Sequence, residues 1–148
     1  MKTTHDTTNW NLLVSVAEQR LEECGRRLAK LLARREEAYE KLNSLLEYRR
    51  NYQVQLEGAQ RNGITADGLR NFQSFVATLE RATEQQSDLL AALQKLLYDC
   101  EAEVGALQRK IHSYRVLQER RSADAKRQDH RRQQALQDEM AARMRVAG

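Results

Sequence analysis

Stepping alternately four and three residues from Trp10 reaches Val14, Ala17, Leu21 and Cys24, and continues in that rhythm to Leu56. Twelve of the fourteen positions visited are apolar or tyrosine, and only Arg35 and Arg49 interrupt them. The same stepping from Leu69 passes Phe72 and Val76 and ends at Ile111 and Tyr114, again with twelve of fourteen, Thr83 and Gln86 forming the one polar step. A repeat sustained over that many heptads is the pattern of a coiled coil. The two seams span 47 and 46 residues, about 70 Å each at the helical rise, and their equal length argues that they pair with each other.

Nothing inside the seams forces a break, because the 148-residue chain has no proline and three of its six glycines, Gly58, Gly63 and Gly68, fall in one eleven-residue window. That window predicts the turn, with Asn62 and Gly63 supplying positive φ values and Thr65 or Asp67 capping the helix that follows. The expected fold is all-α, a single coiled-coil domain over 1–148 built as a long antiparallel two-helix hairpin. Helix one is expected over about 8–57, the turn over about 58–66 and helix two over about 67–142. Residues facing each other then have numbers adding to about 125, which sets Cys24 and Cys100 at one level inside the seam. They read as small apolar seam residues carrying free thiols.

After Tyr114 the stepping lands on Gln118, Arg121, Ala125 and Gln128, and the seam is gone, although the composition still favours helix. Helix two is therefore expected to continue unpaired beyond about residue 117 as a polar overhang, roughly 50 Å long if helical throughout. From Arg115 onward there are nine basic and five acidic residues, so the net charge of +4 belongs to this end alone and the remaining residues carry 16 of each sign. A solvated helix face or contact with an acidic protein surface suits this end better than nucleic acid. Carboxylates are interspersed with the cations, and no aromatic follows Tyr114 to stack on bases.

With Arg49 at an a position, Tyr52 is a d and Tyr48 a g; on helix two Phe72 is a d and Phe75 a g. In an antiparallel pair both g rows border one flank, which brings Tyr48 and Phe75 almost level. The row continues as Ala82, Leu89 and Leu96, where charges are usual. Two readings stand side by side: these side chains widen the core, or they form a partner surface, and two helices cannot enclose g-position aromatics completely. Tyr52 is assigned to the seam and Tyr48 to the exposed face.

The chain has no phosphate-cradling glycine loop, no paired-histidine metal motif and no CxxC, and His5, His112 and His130 lie scattered in polar stretches. No concave pocket is expected on so thin a structure to tune a carboxylate. The sequence argues against an enzyme, and no cofactor is expected. No apolar run approaches the roughly 18 residues of a membrane span, and the start lacks a signal-peptide core. The chain reads as cytoplasmic.

The segments YRRNYQVQL (48–56), NGI (62–64), NFQSFVATLERATEQQ (71–86) and the Arg/Gln-rich YRVLQERRSADAKRQ (114–128) together resemble the FliJ family, small soluble proteins of the flagellar type III export apparatus. The resemblance covers most of the chain. It implies a coiled coil similar to the stalk of rotary ATPases, inserted in the ring of the hexameric flagellar export ATPase. It also implies contact with the cytoplasmic domain of the export gate protein and with export chaperones, and membrane association only through those partners. Gate-contacting residues of the family correspond here to Leu45, Tyr48, Tyr52, Phe75, Leu79 and Ala82. Two more positions of that face depart from the family pattern, Lys41 standing for a glutamine and Gln86 for a histidine. By analogy with the stalk, Arg120, Arg121, Lys126, Arg127, Arg131 and Arg132 are assigned to the ring. The rival expectations are a virulence type III secretion stalk, a homodimerising coiled-coil scaffold and a nucleic-acid-binding rod over 115–148.

Overall fold

The computed structural model describes the backbone of residues 2–148 and the side chains of residues 9–148. Two helices account for nearly all of it, α1 (Lys2–Asn62) and α2 (Ala66–Ala147). The turn is shorter than the expected 58–66 and occupies only residues 63–65. Gly58 does not end α1, because one glycine in a helix only weakens it by about 1 kcal/mol. The helix stops at Gly63, whose φ of +88° is the left-handed conformation that closes a helix C-terminus. Among the described residues no other residue has a positive φ, so Asn62 remains helical instead of sharing the turn as expected.

Thr65 is the cap of α2. Its Oγ1 accepts from the Gly68 N–H at 3.1 Å, and its carbonyl accepts the first helical bond from Leu69 N–H at 3.0 Å. Asp67 lies in the first turn of α2 and Arg61 in the last turn of α1, each with the sign that its helix end favours. Gly68 sits in a tight place. A Cβ there would stand 3.1 Å from both Ile64 Cγ1 and Thr65 Oγ1.

Packing divides the chain into two compact units, Glu23–Val104 and Met1–Glu22 with Gly105–Gly148. In the unit containing the turn, the core is the predicted seam: Leu31, Ala38, Leu90, Leu93, Leu97 and Cys100, with Leu28 and Leu42 packed against them. The helices run antiparallel in the expected register. Tyr52 meets Phe72, Gln86 meets Ala38 and Cys100 meets Cys24, each pair adding to 124. The polar step in the second seam is satisfied internally: Gln86 Nε2 donates across to the Ala38 carbonyl at 3.0 Å, and Thr83 Oγ1 donates back to the Leu79 carbonyl at 2.8 Å. Of the two seam arginines, Arg35 is half-buried, while Arg49 is exposed. The two cysteines are buried free thiols at one level, the Cys100 Sγ 3.5 Å from the Cys24 carbonyl oxygen.

In the other unit Ala17, Leu107 and Ile111 are buried. The rings of Trp10 and Tyr114 meet edge to face at 5.6 Å. Arg115 Nη2 donates to Glu18 Oε1 at 2.6 Å, and Gln118 Nε2 to Asn11 Oδ1 at the same distance. The Arg121 guanidinium lies 5.2 Å from the centre of the Trp10 ring, within cation–π range. From residue 119 onward α2 is exposed on every side.

Candidate functional site

The heptad labels assign the two g rows to one flank, and in Glu23–Val104 an ion pair agrees with that assignment. Arg27 and Glu103, both g residues, approach to 3.8 Å. Toward the turn the same flank becomes aromatic. Tyr52 is half-buried in the seam and its ring packs on Phe72 at 5.3 Å and on Phe75 at 4.2 Å. One helical turn before Tyr52, Tyr48 stands 62% exposed, and Phe75 is 38% exposed. Phe75 thus has one ring face on Tyr52 and an edge open to solvent, while the Tyr48 ring makes no ring contact among the described residues.

The other candidates of this face differ in access. Leu45 and Ala82 are half-buried beside the cluster, and Lys41 is exposed. Leu79 is only 8% exposed, so it supports the face from beneath. Gln86 points its amide inward to Ala38.

On the overhang, Arg120, Lys126, Arg131 and Arg132 are exposed, and Arg127 pairs with Asp124 at 3.0 Å. Arg121 differs from them, because its guanidinium covers Trp10. Seam-stepping misses a further feature here, since it lands on Ala135 and Glu139. Leu136, Met140 and Met144, each four residues from the next, are 60%, 64% and 76% exposed. A search at constant four-residue spacing finds them. Methionine is suited to adaptable contact surfaces.

The Cys24 thiol is pushed up from its ordinary pKa, first by burial and then by the neighbouring Glu103 carboxylate, which also hydrogen-bonds it. A nucleophilic thiol needs the opposite shift. Among the described residues no group of three or more His, Cys, Asp or Glu side chains is placed to hold a metal ion. His112 and His130 are exposed, and the side chain of His5 lies outside the described residues. Among the described residues no helix is long and apolar enough to cross a membrane.

Residues 9–146 match the family model described as Flagellar FliJ protein. The flagellar FliJ protein of Escherichia coli (strain K12) is 31% identical over 132 residues, covering 88% of this chain and 89% of the relative. That of Salmonella typhi is 30% identical over the same shares of the two chains. No solved structure gives a significant match.

Proposed function

The chain belongs to the FliJ family of flagellar proteins, and from that premise we propose that it is a non-enzymatic stalk of the flagellar type III export apparatus. In this reading its terminal unit enters the ring of the hexameric export ATPase and promotes ring assembly and ATP hydrolysis. The aromatic face near the turn engages the cytoplasmic domain of the export gate and export chaperones. The protein meets the cytoplasmic side of the membrane only through those partners.

The observation that carries the proposal is the aromatic cluster of Tyr48, Tyr52 and Phe75. Tyr52 anchors it in the seam, leaving Phe75 partly open and Tyr48 mostly open. An exposed tyrosine beside the partly open Phe75 ring supplies the large aromatic contact area in which interface hot spots are enriched. Tyr48, Phe75, Ala82, Lys41 and Leu45 form the contacting set. Leu79 and Gln86 act beneath it as supports. The overhang supplies Arg120, Lys126, Arg131 and Arg132 as exposed cations for acidic or polar walls, and Leu136, Met140 and Met144 as an apolar stripe. Arg121 holds the Trp10 end.

The test is ATP hydrolysis by the cognate export ATPase, with and without an equimolar amount of the protein. Stimulation, reduced when the chain is truncated after Arg120, is the expected result. An unchanged rate under conditions where the ATPase forms rings would overturn the stalk reading. For the gate, Tyr48→Ala with Phe75→Ala is expected to reduce binding to the gate's cytoplasmic domain and to impair motility, and unchanged binding would remove the aromatic face from the contact.

A further inference from the structure

On the same flank of Glu23–Val104, farther from the turn than the aromatic cluster, the two helices carry a pattern that their own pairing leaves unanswered. On α1 the g positions at successive heptads are Arg27, Arg34 and Lys41, all cations. The Arg27 to Glu103 pair marks the shared flank, and the seam register, with facing numbers adding to about 124, sets which residues stand opposite. In that register Arg34 stands level with Leu89 and Arg27 with Leu96, while Lys41 follows one heptad nearer the turn, level with Ala82. An antiparallel pair that was complete in itself would place carboxylates there. The two leucines are 52% and 50% exposed, whereas the seam leucines beside them, Leu90, Leu93 and Leu97, are all buried. Between the exposed pair on the outer side lies Ala92, small and exposed. Among the described residues neither Arg34 nor Lys41 enters an ion pair.

We propose that Leu89, Ala92 and Leu96 of α2, bordered by Arg34 of α1 and, one heptad nearer the turn, by Lys41, form a docking surface for a partner's amphipathic helix whose apolar stripe is edged by carboxylates. The seven-residue spacing of the leucines selects a helix, since a partner must present apolar side chains at the same interval. The alanine between them leaves room for its backbone to approach. The unanswered cations select the sign: a basic-edged helix would bring like charges together, and an uncharged one would leave Arg34 partly desolvated without a counterion. The inference does not rest on the stalk reading. It stands whether or not the protein stimulates an ATPase.

A labelled peptide of about three heptads, with leucine at a and d and glutamate at e and g, is the probe; its own carboxylates oppose self-pairing. Its binding to the full chain is followed by fluorescence anisotropy at low ionic strength, beside one peptide with lysine for each glutamate and another with alanine for each leucine. The expected result is binding of the acidic leucine peptide, roughly tenfold or more weakened in either control and in the variants Leu89→Ser with Leu96→Ser and Arg34→Glu. Tyr48→Ala with Phe75→Ala should leave it unchanged, and far-UV circular dichroism should show the serine and glutamate variants helical. Equal binding of the basic peptide, or binding of the acidic peptide undiminished in the Leu89 and Leu96 variant, would overturn the proposal. So would reversible self-association of the protein that this variant abolishes, because the surface would then be covered by a second copy.

Discussion

Gly63 holds a backbone conformation that L side chains adopt only with strain, while Gly58 and Gly25 sit in helix with nothing near the position of a Cβ. The same substitution should therefore have opposite signs. Gly63→Ala is expected to lower stability by about 1–2 kcal/mol, and Gly58→Ala to raise it by about 0.5–1 kcal/mol; urea midpoints of the two variants check both. Sequence alone marks all three glycines of the window as breakers, and only backbone geometry distinguishes the one that turns the chain from Gly58, which is merely tolerated. Cys24 gives a second outcome at this scale. Burial and Glu103 raise its thiol pKa in the folded state, so the unfolded chain releases that proton first. The stabilising contribution is complete below the free-thiol value of about 8.5 and declines as pH rises through and above it. Melting temperature measured through the alkaline range should fall more gently in Cys24→Ala than in the parent. An identical decline would remove Cys24 as its source.

At the scale of elements, both helices are written by their seams, and the heptad labels carry through to the contacts. Tyr52 meets Phe72 and Gln86 meets Ala38, as the antiparallel register requires. What periodicity leaves open is how a g-position side chain divides itself between core and solvent. Tyr48 and Phe75 look equivalent on paper, yet the Phe75 ring lies 4.2 Å from Tyr52 and Tyr48 is mostly exposed. Phe75→Ala should therefore lower stability by roughly 1 kcal/mol through the lost aromatic pair, while Tyr48→Ala leaves the melting temperature within error. A matching loss from Tyr48→Ala would put that ring in the core. The burial of Leu79 and the inward turn of Gln86 belong to the same class of outcome. A d position promises proximity to the partner helix, and side-chain packing then decides how much remains accessible.

For the molecule as a whole, residues 23–104 contain the turn, its cap and the core cluster from Leu31 to Cys100. A fragment of these residues is expected to fold to a helical hairpin alone and to melt cooperatively, as followed by circular dichroism. A spectrum dominated by coil would show that the hairpin needs the rest of the chain. The sequence by itself determined the all-α class, the pairing of the two seams, their register, the position of the turn and the loss of the seam after Tyr114, because hydrophobic periodicity and backbone permissiveness are local properties that every residue declares. Its resemblance to the FliJ family, read from motifs in the middle of the chain, agrees with a family match over residues 9–146. Tertiary structure alone decided that Arg121 covers Trp10, that Phe75 stacks on Tyr52 while Tyr48 remains open, and that Leu89 and Leu96 stand exposed opposite cations. Each of these depends on where two helical surfaces meet in space, and the same heptad letter is compatible with either a buried or an open side chain until the facing residue is in place.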